Sequence, residues 1–202
     1  MYQHSSTLSK IIQFHNEGNF LKSKPLILEI LKKDKDNPEF LKLLSFTELQ
    51  IGNLKESIRI INKAIDLRRE NEEFYLIRGY AYMRNLDYQL AIQDFEKTIN
   101  INPSLKDAYL NIGLVYSELK NFNKSLKYFL KAIDIDPNDY RIYLNLALIK
   151  SEMNKYDEAL DEINKSIKFN KNNLNAYLLR GNFYKELKQF KLSMLDFDKV
   201  IQ

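Results

Sequence analysis

The chain has no cysteine and no tryptophan, and its 202 residues include only five glycines and four prolines. Without cysteine there is no disulfide and no thiolate metal site, which fits a reducing compartment, so a cytoplasmic location is expected. No apolar run nears the roughly 20 residues needed to span a bilayer. Residues 1–18 hold no apolar stretch of signal-peptide length. The glycines form no phosphate-binding loop, dinucleotide fingerprint or nucleophile elbow. The two histidines, His4 and His15, have no second ligand at helical spacing and are expected on the surface. Asp134-Ile135-Asp136-Pro137-Asn138 resembles the start of a calcium loop. The sixth and twelfth loop positions, which need glycine and glutamate, hold Asp139 and Asn145 instead. No catalytic site, cofactor or metal is therefore expected. The net charge of +4 is mild and the lysines are spread along the chain, which is weak ground for nucleic-acid binding.

What the chain does have is a period of 34 residues. Six copies begin at His4, Pro38, Glu72, Lys106, Tyr140 and Leu174, and their columns align without a gap. A fixed period of this length marks a solenoid, in which each unit packs only on its neighbours. All five glycines fall in two columns: Gly79, Gly113 and Gly181 at position 8, and Gly18 and Gly52 at position 15. Pro38, Pro103 and Pro137 lie at the seams between copies.

The copy 106–139 shows the unit. Ala108, Tyr109, Ile112, Val115 and Tyr116 follow the spacing of an amphipathic helix. Lys120-Asn121 interrupts them. A second helical pattern, Phe122, Leu126, Phe129, Leu130, Ala132 and Ile133, stops at Asp136-Pro137-Asn138. Each copy therefore reads as helix A, turn, helix B, turn. Position 8 is small in five copies (Ser45, Gly79, Gly113, Ala147, Gly181), and position 20 is small in all six. A glycine inside a helix costs about 1 kcal/mol against alanine, and close approach of the two helices offsets that cost. Position 4 (Leu41, Tyr75, Tyr109, Tyr143, Tyr177) and position 24 (Ile27, Ile61, Phe95, Phe129, Ile163, Phe197) supply the facing bulk.

This pattern resembles the tetratricopeptide repeat family, whose motif positions are filled by Tyr109, Ile112, Gly113, Tyr116, Ser125, Phe129, Ala132 and Pro137 and by their counterparts. The resemblance implies an all-α fold: a right-handed superhelical solenoid of antiparallel helix pairs, with helix A lining a concave face that recognises proteins. One solenoid over 1–202 is expected, with repeats 4–37, 38–71, 72–105, 106–139, 140–173 and an incomplete 174–202. The first copy departs from the pattern at Thr7, Lys10 and Ile11, and Lys10 fits a capping unit with a polar outer face. Pro25 is expected near the start of a helix, where its missing N–H is tolerable. In the sixth copy Phe197, Val200 and Ile201 would lack a neighbour, so either the chain continues or another molecule covers that end.

The family resemblance places positions 2, 5, 6, 9, 12 and 13 of helix A in the groove. Position 5 reads Leu8, Lys42, Leu76, Leu110, Leu144 and Leu178. Position 9 reads Ile12, Phe46, Tyr80, Leu114, Leu148 and Asn182, and position 12 adds Leu49 and Met83. Such an apolar strip marks a binding site, unless the superhelix is tight enough for these residues to bury one another. At position 6, Asn111 and Asn145 can hold a peptide backbone, or they are simply the polar residues common in that column. Position 13 is acidic at Glu118, Glu152 and Glu186, and position 2 at Glu39, Glu73 and Asp107. Arg84, Arg141 and Lys185 interrupt this edge, which is read either as solvated surface or as a preference for basic ligands.

The expected function is a non-enzymatic scaffold that binds a peptide or helix with apolar anchors, and basic residues if the acidic edge takes part. The expected groove is Leu76, Tyr80, Met83, Leu110, Asn111, Leu114, Glu118, Leu144, Asn145, Leu148, Glu152 and Leu178. The alternative is the N-terminal recruiting arm of a larger enzyme, such as a bacterial glycosyltransferase or sulfotransferase. Relatives that clamp chaperone tails need lysine, asparagine and arginine in set columns. The closest window here offers only Asn111 and Arg141, with Leu76, Tyr80 and Asn145 in the other places, so no such clamp is expected. RNA reading by the related pentatricopeptide architecture needs polar residues at position 5, which is leucine in five copies. No nucleic acid or membrane partner is expected.

Overall fold

The computed structural model describes residues 2–201, with side chains from residue 6 onward; His4 lies outside the described side chains. Twelve α-helices follow one another, two to each copy, and no strand occurs among the described residues. They are α1 (Tyr2–Asn16), α2 (Phe20–Lys33), α3 (Pro38–Ile51), α4 (Leu54–Leu67), α5 (Glu72–Arg84), α6 (Tyr88–Ile101), α7 (Lys106–Glu118), α8 (Phe122–Ile135), α9 (Tyr140–Glu152), α10 (Tyr156–Phe169), α11 (Leu174–Glu186) and α12 (Phe190–Ile201). The chain divides into two compact units, Met1–Ala108 and Tyr109–Gln202, with the boundary in the first turn of α7.

The two helices of a copy run antiparallel. In 72–105 Arg78 meets Asp94, Gly79 faces Phe95, and Thr98 and Asn102 reach back to Glu72, so sequence separation grows with distance from the turn. The turn is the same in every copy. Position 15 sits in the left-handed region: Gly18 at φ 68°, Gly52 at 99°, Leu86 at 65°, Lys120 at 56°, Asn154 at 59° and Lys188 at 60°. The next residue's N–H bonds back to the carbonyl five residues earlier, as in Asn53 to Glu48 and Asp87 to Tyr82, closing the first helix. Glycine takes this conformation freely; the other four positions hold it against a steric cost of about 1–2 kcal/mol each.

The crossing of the pair is set by position 8. A Cβ on Gly79, Gly113 or Gly181 would stand 2.6, 2.5 or 2.6 Å from a ring carbon of Phe95, Phe129 or Phe197. Where position 8 is Ser45 or Ala147, position 24 is the smaller Ile61 or Ile163. Small residues at position 20 let the backbones approach. Ser125 donates to the Gly113 carbonyl at 2.6 Å, and Ser45 and Ser57 exchange bonds with each other's carbonyls. Lysine at position 26 lies over the position 4 tyrosine in four copies, Lys97 over Tyr75, Lys131 over Tyr109, Lys165 over Tyr143 and Lys199 over Tyr177, at 5.1–5.8 Å from the ring centre.

Helix A of one copy covers helix B of the copy before it: α3 on α2 and α5 on α4 in the first unit, α9 on α8 and α11 on α10 in the second. The first core gathers Ile11, Ile27, Leu41, Leu49, Ile61 and Phe74. The second gathers Ala147, Ala159, Ile163, Ala176, Tyr177 and Phe183.

Two expectations about the B helices need correction. Pro25 is not at the start of α2 but in its second turn, because position 17 opens helix B in every copy and α2 begins at Phe20. Leu21, whose carbonyl loses the bond, and Pro25 are both exposed, so the break lies on the solvent side of α2 and not in the core. Phe197 and Val200 do have neighbours: Phe197 packs on Gly181 and Val200 on the second core, both half-buried, whereas Ile201 is exposed.

Candidate functional site

In the first unit α3 and α5 lie side by side, and the groove columns of both helices bound one depression. It encloses about 230 Å³ and is lined by Lys42, Leu43, Phe46, Glu73, Leu76, Ile77 and Tyr80. It continues past Phe46 and Tyr80 into a second hollow of about 370 Å³ with Leu49, Gln50 and Arg84. All of these residues occupy positions 2, 5, 6, 9, 12 or 13 of their copies.

The two aromatic walls are braced from behind. Tyr80 stands edge-on to Phe95, with ring centres 5.7 Å apart, against the ring that Gly79 admits. Phe46 contacts Phe20 at 5.9 Å and His15 at 5.7 Å. His15 is therefore not the surface residue that the sequence suggested. It is half-buried, and its Nε2 hydrogen-bonds with Ser23 Oγ at 3.1 Å and Thr47 Oγ1 at 3.0 Å. The groups around it are hydroxyls and rings, so desolvation acts unopposed and lowers its pKa.

Charge closes the two ends differently. At one end Lys42 pairs with Glu39 and Glu73, and Arg68 with Glu39. Burial pushes the Glu39 carboxyl up, and Lys42 and Arg68 together bring it below its ordinary value. Burial pulls the Lys42 ammonium down, and Glu73 and Glu39 more than reverse this. At the other end Arg84 donates through Nη1 to the Leu49 carbonyl and has no carboxylate partner among the described residues.

α5 itself is fastened through Arg78. Its guanidinium bonds both carboxylate oxygens of Asp94 on α6 and the Asn62 side-chain oxygen on α4, each at 2.7 Å, between the Tyr75 and Tyr82 rings. Arg180, Asp196 and Asn164 repeat the arrangement on α11, α12 and α10.

Of the residues singled out from the sequence, Leu76 and Tyr80 line the depression, and Met83 is half-buried one turn beyond Tyr80. In the second unit Leu114, Leu144, Asn145 and Leu148 are half-buried, and Glu118, Glu152 and Leu178 are exposed. Leu110 and Asn111 are only 4% and 5% exposed and offer a ligand little surface. Asn145 donates to the Arg141 carbonyl of its own helix at 2.8 Å, and Lys120 neutralises Glu152 at 2.8 Å. Leu43, Ile77 and Gln50 went unread in the sequence, although they stand in columns 6 and 13. In column 6 asparagine stands out as a backbone-binding side chain, whereas leucine and isoleucine there look like core residues until the helices lie side by side.

Two shallow hollows lie elsewhere, one along Gly52–Glu56 with Asn85, the other along Leu119–Asn123 with Met153. They occupy the same place in the repeat, beside the A–B turn, and follow from stacking alone. No three metal-ligating side chains gather among the described residues. No helix among them is long and apolar enough to cross a membrane.

Comparison with known proteins identifies the repeat and the fold. Residues 47–105, 107–139, 128–161 and 174–202 each match a family model described as tetratricopeptide repeat. No protein of curated function matches the chain in sequence. Among solved structures, MamA is 28% identical over 79% of this chain and 93% of its own, with a TM-score of 0.68. A tetratricopeptide repeat protein from Parabacteroides merdae is 20% identical over 100% of this chain and 80% of its own, at 0.78. YrrB, described as a TPR protein with an unusual peptide-binding site, is 18% identical over 87% and 90%, at 0.63. The last two establish likeness of fold.

Proposed function

The chain belongs to the tetratricopeptide repeat family, and from that premise we propose that it is a non-enzymatic scaffold holding a peptide or helix of a partner protein against the groove columns of its A helices. The α3–α5 depression carries this reading. It is apolar along its length, its two aromatic walls are braced, and its charges stand at the ends. A surface ordered before binding loses little entropy on capture. A large apolar side chain of the partner enters between Phe46, Leu76, Ile77 and Tyr80. The exposed Glu118 and Glu186 give the second unit an acidic edge of its own that suits basic residues.

Peptides selected from a random displayed library against the chain test this. They are expected to share a large apolar residue and to lose at least about tenfold in affinity for Leu76→Glu. Leu76 is half-buried at the rim of the depression, so circular dichroism of the variant should keep the helical signal. A charge at the buried Leu110 would test stability instead. Selected peptides that bind Leu76→Glu and a second variant, Tyr80→Ala, as well as they bind the parent would refute the reading.

A further inference from the structure

Arg84 stands where the apolar depression opens into the second hollow, beside Phe46, Gln50 and Tyr80. It is the last residue of α5 and holds position 13 of its copy. No other copy has a cation there: the column reads Asn16, Gln50, Arg84, Glu118, Glu152 and Glu186. A guanidinium carries five N–H donors, and the bond to the Leu49 carbonyl uses one of them. The side chain is exposed and meets no carboxylate among the described residues.

Closing the end of α3 does not require this arginine. The Leu49 carbonyl already accepts from the Gly52 N–H at 3.2 Å, and the Glu48 carbonyl from the Asn53 N–H at 2.8 Å. α9 ends in the same turn, with the Lys155 N–H on the Lys150 carbonyl at 2.9 Å, and there the following copy has Glu186 in place of an arginine. Nor does the bond neutralise the guanidinium. The end of a helix offers at most about half an elementary charge. What the bond does is fix the cation in place. The side chain springs from α5 and is held on α3, so its charge lies across the end of the groove.

The opposite end differs. There Glu39, Lys42, Glu73 and Arg68 satisfy one another. A ligand lying along the depression therefore meets a closed charge network at one end, apolar walls in the middle and an uncompensated cation at the other end. Along α5 the step from Tyr80 to Arg84 is about 6 Å. Two residues of extended chain, at about 3.3 Å each, cover the same distance, as do four residues of helix.

Resting on the scaffold reading, we propose that the α3–α5 depression selects a partner segment with an aspartate or glutamate beside its large apolar anchor, the carboxylate seated on Arg84 with the exposed Gln50 amide as a second donor. The acid lies within about four residues of the anchor and always on the same side of it. Column 13 is outside the set that clamps chaperone tails in relatives. The pair is exposed at the mouth of the hollow, so it sets which partner is preferred more than how tightly any partner is held.

Three baits test this: the parent chain, Arg84→Gln and Arg84→Glu. The random library is displayed with the peptides' C-termini fused to the carrier, so that side chains supply the only carboxylates. Arg84 is exposed, and circular dichroism of both variants should match the parent. All three baits are expected to select a large apolar anchor. The parent should also enrich Asp or Glu on one side of it, Arg84→Gln should lose that enrichment, and Arg84→Glu should replace it with Lys or Arg. A peptide selected on the parent should bind it about fivefold more tightly than the same peptide with Asn or Gln in place of the acid, and Arg84→Gln should not tell the two apart. An apolar anchor with no acidic neighbour, or an acidic preference that survives Arg84→Gln, would overturn this inference and leave the scaffold reading standing. Selected peptides that bind Leu76→Glu and Tyr80→Ala as well as the parent would overturn both.

Discussion

At the crossing of each helix pair one side chain must be missing for another to fit. Phe95 and Phe129 are fully buried and their rings fill the space over Gly79 and Gly113, whereas the ring over Gly181 belongs to the half-buried Phe197. Gly113→Ala is therefore expected to cost about 1–3 kcal/mol, because the closed-in ring cannot yield. Gly181→Ala should cost less, because Phe197 can swing outward. Phe129→Ile alone should leave a cavity and cost about 1–3 kcal/mol. The double variant reproduces the Ala147–Ile163 pair of the next copy and should cost less than the two single changes added. Urea denaturation of the four proteins measures this, and simple additivity would show that the ring and the glycine are not coupled. His15 gives a second residue-scale expectation. Its pKa is lowered by burial, so between the folded and unfolded values the unfolded chain binds the extra proton. Its contribution is complete above the unfolded value of about 6.5 and is lost as pH falls from there through the folded value. His15→Gln should flatten the dependence of thermal stability on pH below about 6.5. These contacts were only partly legible in the sequence. The small-against-large columns pointed to the crossing, but nothing in the spacing of one histidine shows that Ser23 and Thr47 converge on it.

Between elements, the Arg78 bridge joins three helices of two neighbouring copies. It ties α4, α5 and α6 together, and its repetition at Arg180 spaces the two bridges three copies apart. Burial pushes the Asp94 carboxyl up by more than Arg78 pulls it down, while the hydrogen bonds to Asp94 hold the Arg78 guanidinium up. An ion pair with this balance adds little net stability, but removing one partner strands the other. The Asp94 side chain is 7% exposed and that of Arg78 21%. Asp94→Leu or Arg78→Met alone should cost about 2–4 kcal/mol, somewhat below the range for a fully enclosed pair. Both changes together should cost under about 1 kcal/mol, the apolar pair repacking against Tyr75 and Tyr82. Chemical denaturation of the cycle checks this, and additive losses would mean the bridge carries no coupling. The helix pairs themselves could be read from periodicity and turn residues. The bridge could not, because arginine at position 7 and aspartate at position 23 look like ordinary surface charges until antiparallel packing sets them side by side.

For the molecule as a whole, the balance of charge and apolar surface sets how it meets a partner. The net charge is +4, and most groove charges near the α3–α5 depression are already paired with one another. Binding carried by apolar anchors should therefore change less than about threefold between about 0.05 and 0.5 M salt, although screening over that range is strong for exposed charges. Isothermal titration of a selected peptide at the two ionic strengths measures this, and a tenfold loss would assign the affinity to Arg84 and the acidic edge instead. The amino-acid sequence by itself determined the helix pairs and their turns, while the columns of the groove came from the family resemblance. Pairs and turns depend on interactions within one copy or with the next, and a period of 34 residues writes them out six times. Which members of the columns a partner can reach was decided by tertiary structure alone. Leu76 and Leu110 share a column and a residue type, yet one rims a depression and the other is buried. Exposure depends on how close neighbouring helices come, and that distance is fixed by packing across copies, which no single column records.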